Sequence, residues 1–157
     1  MNIYLASDHA GFELKNHLAE YIKNLGFTVI DKGPFSMDPG DDYPDYIRLV
    51  AEEILKNPDS SRGIILGSSG QGEAMAANRF KGIRAAVYYG PPCTHAGEES
   101  KDVKIIELSR QHNNANIFSL GAHFLTNTEA ESAVKLWLET PFSNDERHTR
   151  RLGKLDA

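Results

Sequence analysis

The stretch that decides the fold reads Gly63-Ile64-Ile65-Leu66-Gly67-Ser68-Ser69-Gly70-Gln71-Gly72-Glu73, followed by Ala74-Met75-Ala76-Ala77-Asn78. A short apolar run of strand type leads through a glycine-rich turn into a segment of helical composition. Such a turn gathers unpaired backbone N–H groups, and the dipole of the helix that follows favours negative charge there. The stretch therefore predicts an anion site at the carboxyl end of a buried strand.

The carboxylate of Glu73, predicted as the first helical residue, has two interpretations. Glutamate is common in a first helical turn, where it caps the helix or interacts with its dipole. A carboxylate beside donors that stabilise an oxyanion is also the arrangement for abstracting a proton next to a carbonyl. A base for a weak carbon acid benefits from a raised pKa, so the catalytic interpretation predicts that Glu73 is substantially buried.

Outward from this stretch, strand-like runs alternate with helix-like segments. The predicted strands are Ile3–Ala6, Thr28–Asp31, Gly63–Leu66, Ile83–Tyr88 and Ile117–Leu120. Alternation of this kind predicts right-handed βαβ units and an α/β fold with a mainly parallel five-stranded sheet between two helical layers. Two long loops are expected, at Lys32–Asp42 and Tyr89–Asp102.

Helical spacing marks five further segments of the chain. They are Leu14–Leu25, which Gly26 ends, and Asp45–Leu55, Glu73–Asn78, Val103–Arg110 and Thr128–Leu138. The last of these is predicted to open with a capping pattern at Thr128-Glu129-Ala130-Glu131.

Composition limits the class of protein. A chain of 157 residues with 40% hydrophobic and 25% charged residues is predicted to form one domain over 1–157, with a basic helix or tail at about 144–157. A net charge of −5 argues against binding to nucleic acid or to a membrane surface. No apolar run is long enough to span a bilayer, no export signal is visible, and the single cysteine is Cys93. We therefore expect a cytoplasmic protein without a metal knuckle or a disulfide.

Polar residues cluster next to the predicted strands. Asp8 and His9 follow the first strand, His112-Asn113-Asn114 precedes the fifth, and His123 comes after it. Ligands of open α/β sheets bind at the carboxyl ends of the strands, so several of these groups are expected to converge on one cleft. Each also has a structural interpretation: Asp8 as a helix N-cap, His9 as a solvated loop residue and the asparagines as a helix C-terminus.

Near the end of the chain, Arg147 and Arg151 lie four residues apart and hence on one helix face. Two guanidinium groups so placed can hold a phosphate through paired hydrogen bonds. The alternative is a solvated basic tail that offsets an acidic domain.

Together these segments resemble the type B ribose-5-phosphate isomerases, a family that also includes galactose-6-phosphate isomerase subunits and allose-6-phosphate isomerases. The match extends over nearly the whole chain, and it rests on Asp8-His9-Ala10-Gly11, Asp42-Tyr43-Pro44-Asp45, Ser69-Gly70-Gln71-Gly72-Glu73, Ala76-Ala77-Asn78, Gly82-Ile83-Arg84-Ala85, Ser109 to Asn116 and Arg147-His148-x-x-Arg151. The resemblance implies a Rossmann-like sandwich and an aldose–ketose isomerase of sugar phosphates. It also implies a homodimer or tetramer with active sites at the dimer interface, and neither a metal ion nor an organic cofactor.

The resemblance also implies roles for individual residues. One branch of the family has a cysteine base at the position of Gly67, and the other has a glutamate at the position of Glu73, so this chain resembles the glutamate branch. Glu73 would move a proton between C2 and C1 through a cis-enediolate. The oxygens of that intermediate would be held by Ser69 and by the backbone N–H groups of Gly70, Gln71, Gly72 and Glu73.

The remaining roles concern the sugar ring and the phosphate. The resemblance implies that His112, assisted by Asp8, opens the furanose ring. The residues implied in substrate binding are Asn113 and Tyr43 for the sugar and His9, Arg147 and Arg151 for the phosphate, some of them reaching across from the partner subunit.

Two departures from the family pattern bear on the substrate. His123 stands where the family usually has an arginine that helps to hold the phosphate. The connection Gly90–Lys101 is longer than usual by roughly a dozen residues, which predicts a lid or an added wall of the sugar pocket.

Three functions remain open from the sequence. The first is isomerisation of ribose 5-phosphate, and the second is the same chemistry on erythrulose 4-phosphate, allose 6-phosphate or galactose 6-phosphate. The third is a non-catalytic phosphosugar-binding module, against which stands the joint presence of Asp8, Glu73 and His112. A nicotinamide oxidoreductase is disfavoured because no G-x-G-x-x-G turn follows the first strand.

Overall fold

A five-stranded parallel sheet organises the computed structural model, which describes residues 1–90 and 105–155. The strands are β1 (Asn2–Ser7), β2 (Thr28–Asp31), β3 (Ser61–Gly67), β4 (Ala85–Tyr88) and β5 (Ile117–Gly121). Their order is β2-β1-β3-β5-β4, and every neighbouring pair is parallel. The predicted α/β fold with a parallel sheet is confirmed.

Six helices accompany the sheet in the described residues. They are α1 (Phe12–Asn24), α2 (Tyr43–Lys56), α3 (Gln71–Ala77), α4 (Ile105–Gln111), α5 (Asn127–Glu139) and α6 (Glu146–Leu152). One buried cluster joins α1 and α5 to one face of the sheet, and a second joins α2 and α3 to the other face. The predicted three layers are therefore present.

Strand β1 shows why the sheet is covered on both faces. Ile3 and Leu5 belong to the cluster under α1 and α5, while Tyr4 and Ala6 belong to the cluster under α2. Successive residues of a strand point to opposite faces, so a central strand between two helical layers has to be apolar at every position.

Strand β4 begins two residues later than predicted. The N–H of Ile83 donates to the carbonyl of Phe80 (2.9 Å), and the N–H of Arg84 donates to Asn116 Oδ1 (2.8 Å). Both groups are thus committed to the turn before the strand. The prediction of a strand from Ile83 was wrong because a backbone turn and the Asn116 side chain captured donors that an apolar pattern assigns to the ladder.

Four helix starts also differ from the prediction. Helices α1 and α2 each begin two residues earlier, at Phe12 and Tyr43. Helix α5 is capped by Thr126, whose Oγ1 accepts from the N–H of Glu129 (3.3 Å) while Glu129 Oε2 accepts from the N–H of Thr126 (2.8 Å). The capping box therefore lies two residues before the predicted Thr128. Helix α3 begins at Gln71, so that Glu73 is its third residue. The first residues of the predicted helix Val103–Arg110 lie outside the described residues.

The strand order reverses direction between β1 and β3, because the chain moves outward to β2 on one side and to β5 and β4 on the other. At such a switch point the loops that follow the two strands separate and leave a crevice at the carboxyl edge of the sheet. Asp8 and the glycine-rich turn flank this crevice. No helix in the described part of the chain is long and apolar enough to cross a bilayer.

Candidate active site

Glu73 lies inside the molecule, and only 4% of its surface is exposed. Burial raises the pKa of its carboxyl above the ordinary glutamate value, a backbone hydrogen bond partly opposes this, and the charge of Asp8 raises the pKa further. The predicted burial of Glu73 is confirmed. A carboxylate in this environment is a stronger base than a solvated one and is poised to accept a proton.

Gly67, the last residue of β3, makes room for this carboxylate. A Cβ atom at position 67 would overlap the carboxyl group of Glu73, and even the farther oxygen, Oε2, would be only 2.6 Å away. No side chain of any kind fits there without displacing Glu73. Gly67 is thus part of the space that holds the candidate base, Glu73.

The glycine-rich turn is held in place by β5. Gly70 has a left-handed backbone (φ +74°), which favours glycine, and its carbonyl accepts from the buried hydroxyl of Ser119 (2.6 Å). Ser69 Oγ accepts from the N–H of Gln71 (3.3 Å). The turn is therefore fixed from below, while Ser69 stays at the surface of the crevice.

Tyr43 and Asp8 lie on either side of this turn. A Cβ atom at Gly72 would be 3.0 Å from the hydroxyl of Tyr43, so the phenol covers the turn closely. Asp8 is buried and accepts from the N–H of Gly11 (3.0 Å), which caps a short 3-10 turn at His9–Gly11 that precedes α1. Asp8 is thus a cap and also a charge that acts on Glu73.

His9 has a partner, Asp41, that the sequence pattern does not predict. Its Nδ1 lies 2.7 Å from Asp41 Oδ1, and the same oxygen accepts from the His9 N–H (3.1 Å). This hydrogen bond is the main cause that raises the pKa of His9, with smaller contributions from the charges of Asp8 and Asp38. The pair spans 32 residues of sequence, so spacing gave no signal for it.

His123 also lies at this edge of the sheet. Its N–H donates to the carbonyl of Ser68 (3.1 Å), and its Nδ1 lies 2.9 Å from Ser68 Oγ. The histidine that replaces the family's usual arginine is thus attached directly to the glycine-rich turn. We call the groups gathered here the carboxyl-edge half-site, defined as Asp8, His9, Tyr43, Ser69 to Glu73, and His123.

The other predicted residues lie at the opposite edge of the sheet. His112 and Asn113 come before β5. The next residue, Asn114, has φ +44°, and its N–H donates to the carbonyl of Arg110 (3.0 Å). The predicted end of a helix through asparagine is therefore also present. The ring of His112 lies 4.2 Å from that of His148 on α6, the helix that carries Arg147 and Arg151. We call His112, Asn113, Arg147 and Arg151 the amino-edge half-site.

The two half-sites do not meet within one chain. All strands are parallel, and β5 with its five residues separates them by roughly 16 Å of extended backbone. Several of the predicted groups, Asp8, His9 and His123, thus share one edge of the sheet, whereas His112 and Asn113 do not, because residues before and after the same strand lie at opposite ends of it. The predicted loop Gly90–Lys101 falls almost entirely outside the described residues.

A family model described as Ribose/Galactose Isomerase matches residues 3–155. Ribose-5-phosphate isomerase B of Mycolicibacterium paratuberculosis is 40% identical over 152 residues, covering 97% of this chain and 87% of that protein. The chain belongs to the ribose/galactose isomerase family.

Two solved structures are similar to this chain over nearly its whole length. The crystal structure of ribose-5-phosphate isomerase B from Mycoplasma genitalium with bound ribulose-5-phosphate has a TM-score of 0.87 and 39% identity, covering 98% of this chain and 93% of that one. The ribose 5-phosphate isomerase of Thermotoga maritima has a TM-score of 0.85 and 39% identity, covering 99% and 97% of the two chains.

Proposed function

We propose that this protein interconverts ribose 5-phosphate and ribulose 5-phosphate through a cis-enediolate, with Glu73 as the base. The observation that carries the proposal is a buried carboxylate of raised pKa beside a glycine-rich turn. The relatives at about 40% identity are ribose-5-phosphate isomerases, and the one from Mycoplasma genitalium was crystallised with ribulose-5-phosphate.

In this mechanism Glu73 removes the proton at C2 of the open-chain aldose and returns it to C1, while the hydroxyl proton passes from O2 to O1, so that C2 becomes the carbonyl carbon of the ketose. Negative charge develops on the substrate oxygens, where Ser69 and the backbone N–H groups of the turn stabilise it. The raised pKa of Glu73 suits both directions, because the same group has to accept the proton and give it back.

Ring opening and phosphate binding require the groups of the amino-edge half-site. We propose that a second copy of the chain supplies them, so that each active site combines the carboxyl-edge half-site of one subunit with the amino-edge half-site of its partner. A two-fold axis makes this arrangement reciprocal and yields two equal sites.

Helix α3 supports the choice of contact face. It starts at the glycine-rich turn and runs toward Asn78, near the amino edge, so it connects the two half-sites of one chain. Its outer side forms an open groove of about 540 Å³ with β4, lined by Ala74, Met75 and Val87, and Met75 is 66% exposed. Two copies of α3 packed antiparallel across this groove would bring opposite half-sites together.

Mixing two inactive variants tests the shared site. Glu73→Gln and His112→Asn each remove one half of the chemistry, and random subunit exchange creates mixed dimers with one intact site. We expect about a quarter of wild-type turnover after exchange, since half the dimers are mixed and one of their two sites is complete. A mixture that stays inactive although exchange is demonstrated would place both groups in one subunit.

Turnover in deuterated water tests the chemistry. We expect wild type to convert ribose 5-phosphate with solvent deuterium appearing at the exchanged carbon, and Glu73→Gln to lose both conversion and exchange. Glu52→Gln, on α2 with a side chain that is 41% exposed, is the matched control and is expected to behave as wild type. A wild type that turns over no sugar phosphate would favour the non-catalytic binding module.

A panel of sugar phosphates decides the substrate. His123 departs from the family pattern and contacts Ser68. The panel should therefore include substrates that differ from ribose 5-phosphate in length or charge. We propose ribose 5-phosphate first, with erythrulose 4-phosphate, allose 6-phosphate and galactose 6-phosphate as the alternatives.

Because the chain has a single cysteine, we also propose that it works in the cytoplasm.

A further inference from the structure

His148 lies between two groups to which the proposed mechanism gives different tasks. It sits on α6 between the candidate phosphate ligands Arg147 and Arg151, and its ring packs against His112, the candidate ring-opening residue, at 4.2 Å between ring centroids. Both arginines are exposed, whereas His148 is only 2% exposed. It is thus the part of α6 that enters the protein.

Hydrogen bonds fix the ring of His148 from one side. Nδ1 lies 2.8 Å from Ser143 Oγ, and the same oxygen accepts from the N–H of Asp145 (3.3 Å). The N–H of Ser143 donates in turn to the carbonyl of Gln111, the residue before His112 (3.1 Å). The segment before α6 is therefore attached by the Ser143 backbone to the residue before His112, and by the Ser143 side chain to His148.

The other side of the ring has no such support. Nε2 of His148 is buried and has no hydrogen-bond partner among residues 1–90 and 105–155. A polar atom buried without a partner is costly, and a methyl or phenyl group would fill this place at lower cost. Within the described part of the chain, the ring is therefore held by hydrogen bonding on its Nδ1 side alone, through Ser143.

Its electrostatic surroundings favour the neutral ring. Burial lowers the pKa of His148, and the neighbouring His112, Arg147 and Arg151 lower it further, while Asp145 opposes them from 3.7 Å. Protonation of His148 would place a buried cation beside His112 and both arginines.

We propose that His148 is a positioning residue for ring opening, which orients the His112 ring and joins it to the arginines of α6 so that these groups meet the substrate as one unit. The proposal rests on the proposed function, in which His112 opens the furanose. His148 acts through His112 and takes no proton from the sugar itself.

The two halves of the reaction can be measured separately. Ribose 5-phosphate is a closed ring that has to be opened, but ribulose 5-phosphate cannot close a furanose because its 5-hydroxyl carries the phosphate. Exchange of the C1 proton of ribulose 5-phosphate with deuterated solvent therefore needs Glu73 and no ring opening. We expect His148→Ala to lower kcat for ribose 5-phosphate by about tenfold or more, and to leave exchange at saturating ribulose 5-phosphate within about twofold of wild type.

His148→Phe provides the conservative comparison. It keeps a flat ring against His112 and removes the titrating group, so it is expected to recover most of the kcat that His148→Ala loses. Turnover of ribose 5-phosphate by wild type should also fall more steeply below pH 6.5 than that of His148→Phe, since only wild type can protonate position 148. Ser143→Ala, which removes the Nδ1 contact, is expected to lower kcat in the same direction and less.

Several results would overturn the proposal. Equal loss of conversion and exchange in His148→Ala would mean a general structural role, and unchanged conversion would mean no role. If His148→Ala fails to fold, the same comparison in Ser143→Ala and His148→Phe decides. A wild type that shows no C1 exchange would instead overturn the proposed function.

Discussion

At the scale of single residues, the candidate base depends on an atom that is missing. Glu73 occupies the volume in which a Cβ atom of residue 67 would lie, so the carboxylate can be buried only because Gly67 has no side chain. Burial is in turn the main cause of the raised pKa of Glu73. A change at position 67 therefore acts on catalysis through the position of another residue.

Gly67→Ala should lower kcat by about a hundredfold, because a shift of roughly an ångström in a catalytic group has effects of that size. Gly40→Ala is the matched control, since a Cβ atom there would meet only Asp38 Oδ1 at an ordinary 3.4 Å. Steady-state kinetics and thermal melting of both variants check this. Wild-type kcat in a folded Gly67→Ala variant would show that Glu73 has another productive position.

Asp41→Asn should weaken phosphate binding as the pH rises. The hydrogen bond to Asp41 raises the pKa of His9, so the folded protein favours the protonated imidazole, and this preference is lost as the pH rises through that raised pKa. Without the charge of Asp41, His9 loses its proton at lower pH, and KM for the sugar phosphate should increase several-fold near neutrality with less change in kcat.

Asp38→Asn serves as the comparison, because Asp38 contributes the weakest of the charge effects on His9 and has no hydrogen bond to it. KM measured from pH 6 to pH 8 distinguishes the two. Identical pH profiles of KM for wild type and Asp41→Asn would show that His9 does not bind the phosphate as a cation.

Glu73 and Asp41 differ in how much of their role the sequence could predict. Burial of Glu73 followed from its chemistry, since a base for a weak carbon acid needs a raised pKa. The role of Asp41 did not follow, because a hydrogen bond between residues 32 positions apart depends on how the loop before α2 folds back over β1. Periodicity indicates local structure only and does not show which distant residues a loop brings together.

Among the helices and strands, the predictions were right where a single feature of the sequence determined the local structure. The apolar runs became strands, and Gly26 ended α1 with its left-handed backbone at φ +90°. Prediction was wrong where two rules competed. Asn116 took the N–H of Arg84 from strand β4, and two nearby threonines offered alternative caps for α5.

Those two threonines give a direct test. Thr126→Ala removes the cap of α5 and should lower the free energy of unfolding by about 1 kcal/mol, while activity stays unchanged. Thr128→Ala, at an exposed position inside the helix, should change it by less than about 0.5 kcal/mol. Chemical denaturation measures both. Equal losses in the two variants would contradict the capping box at Thr126.

In the molecule as a whole, the parallel sheet separates the groups that the proposed chemistry needs together. The order of the residues along the chain already contains this fact, because His112 precedes β5 and His123 follows it. What the sequence does not give is the contact surface that we propose between two copies, since that proposal depends on the shape of the outer side of α3.

Glu73→Gln should make the folded protein more stable at neutral pH. A carboxyl whose pKa is raised on folding contributes stability below its unfolded pKa and loses that contribution as the pH rises through the folded value. Neutral glutamine avoids this loss, so Tm at pH 8 should rise by roughly 2–4 °C while activity disappears. The gain should vanish near pH 4, and a variant that melts below wild type at pH 8 would contradict the origin assigned to the raised pKa.

The contact between Gly67 and Glu73 also limits how enzymes of this family can change over generations. A cysteine acquired at position 67 while Glu73 is present would overlap the carboxylate, and a lineage that first gave up Glu73 would pass through a protein without a base. We therefore propose that a change between the glutamate and cysteine branches implied by the family resemblance needs both substitutions together, or a duplicate gene that tolerates the loss of the base.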